Sequence, residues 1–315
     1  MGRDLYISFV VVGRNDNYGG DFLHRINLFV KVLLTLCEIH SLNSELIIVE
    51  WNPPEDRPLL KDAITWPDVL GRHICVRIIQ VPKHIHESLP NPAGLFLFEY
   101  LGKNVGVRRA RGEYVLATNP DVIFSEELIK FIAQRRLSDR CFYRIDRCDV
   151  RTPVPADSLQ AILEHCSSNI FRICTMLGTY QIGQKPSVYR RIRHLLGYIK
   201  NYPLRPAHVN ASGDFFLMCR EAWELLRGYP ELEKRGKSHQ IDGLIVYMAQ
   251  LRKLRQAIIG NPLRLYHQDH GRPDNGKPRS AAVDAAYKQL KSGKLNLFND
   301  EHWGLGKDVL PETII

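Results

Sequence analysis

The stretch NVGVRRARGEYVLATNPD, residues 104–121, joins a predicted helix to a predicted strand and then stops abruptly. The helix is predicted over 95–111 and ends at Gly112, because glycine is favoured just beyond the last turn of a helix. The run YVLAT at 114–118 is aromatic, branched or apolar throughout, which is typical of a strand buried on both faces. Asn119-Pro120-Asp121 ends this strand, since proline cannot continue a central strand.

The same organisation extends toward the N-terminus. Runs that indicate buried strands lie at 7–12, 45–50 and 74–81. Helical spacing of apolar residues predicts a helix of roughly 20 residues after the first strand. Strands alternating with helices predict an α/β fold with a mostly parallel central sheet flanked by helices, in which ligands bind at the carboxyl ends of the strands. We therefore expect one crevice to collect the polar residues that follow these strands, namely 14–17, Glu50 and 119–121.

Composition narrows the class of protein further. The chain has 315 residues and a net charge of +9, and 44% of its residues are hydrophobic and 24% charged. This is the ordinary composition of a globular protein, and it excludes disordered, fibrous and disulfide-scaffold proteins. Seven cysteines form no C-x-x-C pair, so we predict reduced thiols in a cytoplasmic protein. The apolar run at 7–12 is too short for a signal peptide or a membrane span. The sequence has no G-x-G-x-x-G after the first strand and no P-loop motif, which disfavours a Rossmann dinucleotide site and a P-loop nucleotide site.

The second half of the chain has weaker patterns. A strand is predicted over 209–220, a helix from Glu221, another helix from about residue 240, and a strand over 263–266 that leads to His267 and His270. The segment 151–208 is predicted to be a helical insertion. Within it, 187–206 (SVYRRIRHLLGYIKNYPLRP) has basic residues, no acidic residue and apolar residues at near-helical spacing. Either a solvated helix face or contact with an anionic acceptor or membrane surface explains this pattern.

Three segments together resemble the nucleotide-sugar domain of GT-A fold glycosyltransferases, closest to the large family 2 type. They are SFVVVGRND (8–16), ELIIVEWNPP (45–54) and NVGVRRARGEYVLATNPD (104–121). The resemblance covers 5–125 well, is weaker over 209–270, and is absent from 151–208 and the C-terminal tail. It implies a nucleotide-binding loop after the first strand, an acidic residue after the second and a D-x-D motif.

The resemblance implies a divalent metal ion, Mn²⁺ or Mg²⁺, which would neutralise the leaving diphosphate as a Lewis acid. The D-x-D position reads Asn119-Pro120-Asp121 here. Asp121 keeps the carboxylate expected to hold the metal, while Asn119 is left to hydrogen-bond a ribose hydroxyl. His267 resembles the histidine that completes the metal site, with His270 as the alternative, because neutral imidazole is a suitable ligand for Mn²⁺.

Donor-binding residues follow from the same resemblance. Asp16 is expected to touch the base, Glu50 to accept hydrogen bonds from base or ribose, and one guanidinium of the predicted helix to face the diphosphate, since its fork suits phosphate oxygens. The implied set is Arg14, Asn15, Asp16, Glu50, Asn104, Arg109 and Asn119. Arg108 and Arg111 are alternatives to Arg109, and Gly106 matches the family's glycine.

An inverting transfer needs a carboxylate base near the acceptor hydroxyl. In the family this base lies in an acidic pair at a helix N-terminus, and the corresponding stretch is His239-Gln240-Ile241-Asp242-Gly243. Asp242 is therefore the predicted base, although a helix-capping aspartate would look the same. Asp214 is the second candidate, with binding of acceptor or sugar hydroxyls as its other role.

These residues predict one GT-A domain over 1–270, followed by a C-terminal extension over 271–315. The domain divides into a nucleotide-sugar-binding half, 1–125, and an acceptor-binding half, 126–270. The predicted activity is hexosyl transfer (EC 2.4) from a nucleotide-diphosphate sugar, with UDP-sugar favoured, to a saccharide or lipid-linked acceptor, as in polysaccharide biosynthesis. The protein is expected in the cytoplasm, with peripheral contact to an anionic membrane as an option.

Two other functions stay open at this point. A sugar-nucleotide pyrophosphorylase has a related sheet, but GRNDNYGG lacks the lysine of its G-x-G-x-R…K loop. A non-catalytic basic protein that binds nucleotides or nucleic acid would explain the charge of +9. No RRM, KH or zinc-finger pattern supports it, so no nucleic-acid partner is expected. A basic surface fits anionic donors equally well.

Overall fold

The computed structural model describes residues 4–184, 207–232, 240–271 and 280–315, together with Ile192 and Leu196. The elements of this part of the chain are β1 (Ile7–Gly13), α1 (Phe22–Ile39), β2 (Ser44–Trp51), α2 (Leu60–Ala63), β3 (Ile74–Val81), α3 (Lys83–Ser88), α4 (Glu99–Arg108), β4 (Tyr114–Thr118), β5 (Val122–Phe124), α5 (Glu126–Ala133), β6 (Cys141–Ile145), β7 (Arg147–Val150), α6 (Leu159–Ser168), β8 (Ile170–Thr175), β9 (Gly178–Gln181), β10 (Phe215–Cys219), α7 (Arg220–Leu226), α8 (Ile241–Leu251), β11 (Arg255–Ile259), β12 (Leu265–Gln268), α9 (Ala281–Lys291) and β13 (Glu312–Ile314).

An eight-stranded sheet in the order β11-β6-β10-β4-β1-β2-β3-β13 forms the centre of the molecule. β1 pairs in parallel with β2 and β4, and β2 with β3, as the alternation of strands and helices predicts. Every residue of β1, β2 and β4 is buried, which is why these runs are almost continuously apolar. β10 is antiparallel to β4 and β6, and β13 is antiparallel to β3. The sheet is therefore parallel at its centre and mixed toward its edges.

Helix α4 packs on β1 and β2 through glycine. A Cβ atom on Gly106 would lie 2.4 Å from Cγ1 of Val10, and one on Gly102 would lie 2.5 Å from Cγ2 of Val12. No side chain fits at such distances, so the two glycines allow the helix backbone to approach the sheet closely. The glycine of the N-V-G sequence therefore has a packing role.

A second sheet, in the order β5-β12-β7-β8-β9, brings distant parts of the chain together. In strand β12, which lies between β5 and β7, His267 is opposite Val122 of β5 on one side and Asp149 of β7 on the other. Val122 directly follows Asp121, where the chain passes from the first sheet to the second. This register sets Asp121, Asp149 and His267 side by side.

The segment 151–208 is not simply helical. Its described part contains α6 and a hairpin of β8 and β9, and β8 pairs with β7 to extend the second sheet. These strands are short and only half-buried, so they lack the long apolar run that identifies β1 and β2. The basic amphipathic helix predicted at 187–206 lies outside the described residues except for Ile192 and Leu196, whose side chains are exposed.

The C-terminal extension packs on the domain. β13 pairs with Arg77, Ile78 and Ile79 of β3, and its Glu312 carboxylate accepts from Nε of Arg77 at 2.7 Å. The ring of Trp303 is buried under the guanidinium of Arg108, 5.3 Å from its centroid. The extension thus completes one edge of the central sheet. Across the residues that the structure describes, no helix combines the length and apolar character that crossing a bilayer requires.

Candidate active site

Asp121, His267 and His270 lie together where the chain leaves β4 for β5. One ligand atom from each of the three lies within 4.8 Å of the other two. Oδ2 of Asp121 is 3.0 Å from Nε2 of His270 and 3.7 Å from Nε2 of His267. Both histidines therefore face the same carboxylate.

Each of these imidazoles is held through its other ring nitrogen. Nδ1 of His267 lies 3.1 Å from Oδ1 of Asp149, and Nδ1 of His270 lies 2.9 Å from the carbonyl oxygen of Gly271. Asp149 and Gly271 present only acceptor oxygens to these Nδ1 atoms, and Asp121 presents only an acceptor oxygen to both Nε2 atoms, so an acceptor faces each ring nitrogen of both imidazoles. With the proton on Nδ1, the Nε2 lone pairs would be free to bind a cation beside Asp121.

Asp121 has the environment of a cation ligand. Burial by itself would raise the pKa of Asp121, but His267, His270 and Arg25 outweigh burial and lower that pKa. Oδ1 of Asp121 is buried and has no hydrogen-bond partner among the described residues. Arg25 donates to the carbonyls of Tyr18 and Gly20. An orphaned carboxylate oxygen beside the Nε2 atoms of two imidazoles is a donor set that fits a divalent transition-metal ion.

The loop after β1 forms a rim beside this cluster. Nη1 of Arg14 donates to Oδ2 of Asp16 at 2.9 Å, and its Nε donates to the carbonyl of Asn52 at 2.7 Å. The buried amide of Asn15 donates to the carbonyl of Pro58. The ring of Tyr18 meets His270 edge-on, with centroids 5.4 Å apart. The loop 14–18 thus connects the end of β1 to the Asp121 cluster.

Glu50 ends the second strand as a buried carboxyl group, 1% exposed. Its Oε1 accepts a hydrogen bond from the backbone N–H of Leu60 at 2.8 Å. Burial raises the pKa of Glu50 to about 7, although the Leu60 N–H opposes the rise. Near neutral pH this group can therefore donate as well as accept a hydrogen bond.

Asp214 is fully engaged by its neighbours. Its Oδ2 accepts from Nη1 of Arg147 at 2.7 Å, and its Oδ1 accepts from the amide of Asn119 at 2.6 Å. Burial would raise the pKa of Asp214, but Arg147 and His267 hold that pKa below its usual range. Asn119, at the first D-x-D position, thus positions another carboxylate of the site.

Asp242 stands at the start of α8, as the sequence predicts for a base. Its Oδ2 accepts from Oγ of Ser212 at 2.7 Å and from the backbone N–H of Gly213 at 2.9 Å. The phenol oxygen of Tyr100 and the Glu99 carboxylate border the same glycine. No cation pairs directly with Asp242 among the described residues, which distinguishes it from Asp214.

The turn that carries Ser212 and Gly213 is held by two buried cations. Arg144, fully buried, donates through Nε to the carbonyl of His208 and through Nη2 to the carbonyl of Asn210, each at 2.9 Å. Lys103 donates to the carbonyl of Gly213 at 2.8 Å. These bonds explain why the predicted strand over 209–220 is reduced to Phe215–Cys219: the preceding residues form turns with side-chain partners.

Two of the predicted donor-binding residues face elsewhere. Arg109 follows α4 and precedes β4, so it lies at the amino edge of the sheet, and its guanidinium donates to the carbonyls of Gly304, Leu305 and Asp308. The amide of Asn104 is completely buried and exchanges hydrogen bonds with the backbone of Tyr229. Both residues hold the scaffold, and neither is directed at the crevice.

Sequence reasoning missed the residues that support the site. Asp149 and Arg147 lie on the short strand β7, Arg144 on β6 and Lys103 in the middle of α4. The one available signal was the presence of charged residues in short, otherwise apolar runs, such as CFYRIDRCDV at 141–150. Charged side chains in buried strands need partners, and those partners are distant in sequence.

Comparison with known proteins identifies the fold of the chain. No protein-family model and no curated protein matches the chain. Among solved structures, S. aureus TarS 1–349 in complex with UDP-GlcNAc matches with 15% identity and a TM-score of 0.51, over 95% of this chain and 69% of that chain. The UDP complex of TarS 1–349 matches with 14% identity and a TM-score of 0.47, over 95% and 68%. Against a longer TarS structure (15% identity, TM-score 0.43), the match covers 84% of this chain and only 37% of that chain.

The match to the UDP-GlcNAc complex shows that this chain has the GT-A fold, as the sequence resemblance implied. At 15% identity the likeness is one of architecture: a central α/β sheet flanked by helices.

Proposed function

We propose that this chain is a metal-dependent glycosyltransferase that moves a sugar from a nucleotide-diphosphate donor to an acceptor hydroxyl. One observation carries the proposal: Asp121, His267 and His270 converge at the carboxyl edge of a GT-A sheet, where this fold type binds ligands. Asp242 lies on the same side, beyond Asp214 and Gly213, as a separate carboxylate. A metal-ligand set and a distinct base are the two parts that such a transfer needs.

The donor set supports Mn²⁺ over Mg²⁺. Two imidazole nitrogens suit a transition-metal ion, whereas Mg²⁺ prefers oxygen ligands. When bound, the ion supplies Lewis-acid neutralisation of the diphosphate leaving group. Asp121, His267 and His270 are the residues that would hold it.

The loop 14–16 and Glu50 are proposed to bind the nucleoside. The Arg14–Asp16 pair and the buried Glu50 carboxyl group follow β1 and β2, the neighbouring parallel strands. The structural neighbour with a TM-score of 0.51 was solved with UDP-GlcNAc, which supports a UDP-sugar as the donor. A carboxyl group that can donate and accept suits the mixed donor and acceptor edge of uracil.

Asp242 is proposed as the base of an inverting transfer. The acceptor hydroxyl gives its proton to Asp242 as its oxygen forms a bond to the anomeric carbon, and the bond from that carbon to the diphosphate oxygen breaks. The hydrogen bonds from Ser212 and Gly213 both end on Oδ2 and fix the carboxylate at the helix start. Asp214 already neutralises Arg147, which makes it the weaker candidate.

The acceptor is proposed to be a saccharide or a lipid-linked saccharide, as in polysaccharide biosynthesis. The basic segment 187–206 supports an anionic acceptor or peripheral contact with an anionic membrane. Its described apolar residues, Ile192 and Leu196, are exposed rather than part of the core. This assignment places the enzyme in the cytoplasm or at the membrane surface.

Thermal-shift measurements with UDP, GDP, CMP and ADP, each with and without Mn²⁺, test the proposal. A ligand that binds only the folded state raises the melting temperature. We expect a manganese-dependent shift with UDP in the wild type and in Asp139→Asn, an exposed carboxylate outside the site, and its loss in Asp121→Ala. Absence of a shift with all four nucleotides, or a shift unchanged in Asp121→Ala, would contradict the proposed donor site.

A further inference from the structure

Asp149 is a completely buried carboxylate that the proposed reaction does not use. It lies on β7 between three positively charged or hydrogen-bonding side chains. Nε of Arg147 is 2.8 Å from its Oδ1, Arg172 donates to its Oδ2, and Nδ1 of His267 lies 3.1 Å from its Oδ1. Two guanidinium groups this close stabilise Asp149 as an anion, and they lower its pKa together with His267 although burial alone would raise it.

The two arginines fix the position of this anion. Arg147 also binds Asp214 at 2.7 Å, and Arg172 also lies 3.4 Å from Oδ1 of Asp269. Asp149 is therefore anchored by Arg147 of its own strand and by Arg172 of the neighbouring strand β8, independently of His267. A carboxylate fixed in this way determines the orientation of an imidazole that binds it.

We propose that Asp149 is the positioning residue of the metal site: it holds His267 in the Nδ1–H tautomer and aims Nε2 at the position beside Asp121. This proposal rests on the proposed function for the presence of a metal ion. The tautomer of the His267 imidazole can be tested without the metal. The anchors of the two histidines differ. His267 is held by a buried, doubly ion-paired carboxylate, whereas His270 is held by one backbone carbonyl.

Asp149→Asn isolates the role of the charge. An amide has one acceptor oxygen and an NH₂ group, while both oxygens of Asp149 lie against nitrogen atoms: Oδ2 accepts from Arg147 and Arg172, and Oδ1 lies 2.8 Å from Nε of Arg147 and 3.1 Å from Nδ1 of His267. Either orientation of the amide therefore sets NH₂ against an existing donor and weakens the hold on His267. The chain offers a matched control in Asp146→Asn, because Oδ1 of Asp146 lies 2.9 Å from Nε2 of His208 outside the metal cluster.

Two measurements test the proposal. Mn²⁺ titration followed by electron paramagnetic resonance gives the metal affinity of the wild type, Asp149→Asn and Asp146→Asn, with and without UDP. Long-range ¹H–¹⁵N spectra of the metal-free, histidine-labelled proteins give the tautomer of His267. The His267 signal is identified because it is missing from the spectrum of His267→Gln.

We expect Asp149→Asn to weaken Mn²⁺ binding by about 10–100-fold and to lose the Nδ1–H tautomer of His267. Asp146→Asn should change neither quantity.

The outcomes separate this proposal from the proposed function. If the wild type binds no Mn²⁺, the metal assignment fails, and the tautomer of His267 still decides the role of Asp149. An Nε2–H tautomer in the wild type overturns that role, and this result needs no variant to fold. An Asp149→Asn protein that binds Mn²⁺ like the wild type also overturns it.

Discussion

Carboxylates of the site differ chiefly in what already neutralises them. Asp214 and Asp149 share Arg147, and Asp121 faces two imidazoles, whereas Asp242 accepts from a hydroxyl and a backbone N–H and has no cationic partner in the described part of the chain. A carboxylate with a guanidinium partner is a poor proton acceptor, because the positive charge stabilises its ionised form. These different partners are the reason for proposing separate roles for carboxylates that look alike in the sequence.

Replacing Asp242 with asparagine should abolish transfer without unfolding the protein. The amide oxygen can still accept from Ser212 and Gly213, while the base is lost, so kcat should decrease by about 10²–10⁴-fold. Sugar transfer to the acceptor and the UDP–Mn²⁺ thermal shift should be measured together. A variant that retains full transfer would remove Asp242 from the mechanism.

Asp214→Ala should act on stability instead. It leaves the buried Arg147 without one of its two carboxylates, and breaking a buried ion pair costs about 3–5 kcal/mol of unfolding free energy. Urea denaturation of this variant and of Asp242→Asn provides the comparison. If Asp214→Ala is as stable as the wild type but inactive, Asp214 is the better candidate for the base.

Glu50 should make stability depend on pH. The folded protein keeps the Glu50 proton up to about pH 7, while the unfolded chain releases it near the ordinary value of 4.5. Between these pH values the unfolded state binds fewer protons, so the free energy of unfolding decreases as pH rises, by on the order of 3 kcal/mol. Glu50→Gln cannot ionise and should lack this decrease.

Melting temperatures of wild type and Glu50→Gln, without nucleotide, check this expectation. The variant should gain stability relative to the wild type between about pH 5 and about pH 8. The glutamine oxygen can still accept a hydrogen bond from the backbone N–H of Leu60, so the variant removes the ionisation and keeps this bond. A difference that is the same at both pH values would mean that the pKa of Glu50 is not raised.

Helix α4 illustrates how an element can match a family motif for structural reasons. Its two glycines face β1, Asn104 binds the backbone around Tyr229, and Lys103 reaches the carbonyl of Gly213. The helix therefore links the central sheet to the turn beside Asp242. Its sequence is constrained along several faces by close packing and by buried hydrogen bonds.

Gly106→Ala should destabilise the protein by about 1–3 kcal/mol, because the new methyl group would lie 2.4 Å from Val10. Gly260→Ala is the matched control, since nothing lies within 4 Å of a Cβ there. Chemical denaturation of both variants measures the difference. Equal stabilities would show that α4 can move away from the sheet at no cost.

In the molecule as a whole, the carboxyl edge and the amino edge of the central sheet contact different groups of residues. The carboxyl edge carries the Asp121 cluster, whereas the amino edge binds the C-terminal extension through Arg109, and β13 covers β3. Trp303 is buried against Arg108 in the same part of the molecule.

Removing residues 308–315 should lower the melting temperature and leave nucleotide binding intact. The truncation exposes the edge of β3 and takes Glu312 from Arg77, whose remaining carboxylate partner is Glu45. An exposed strand edge also favours aggregation. Thermal melting with and without UDP and Mn²⁺ tests both parts, and loss of the nucleotide shift in a folded truncated protein would contradict the separation.

Local sequence patterns are enough to predict the central strands and the crevice at the carboxyl edge of the sheet. A strand buried on both faces must be apolar along its length, and the polar residues after parallel strands must meet at one edge. Ile7–Gly13, Ser44–Trp51 and Tyr114–Thr118 therefore lie close to where the pattern predicts them. Asp121 and His267 both lie near such strand ends, but their assignment as metal ligands came from the family resemblance.

Which charged residues surround the site depends on how distant segments of the chain meet in the folded protein. Arg109 was assigned to the diphosphate from its chemistry, yet a residue between a helix and the next strand lies at the amino edge. Asp149 is 118 positions from His267 in the chain, and only the register of β7 with β12 sets them opposite each other. Such pairings depend on how distant strands align, and a one-residue shift would turn each side chain to the other face of the sheet.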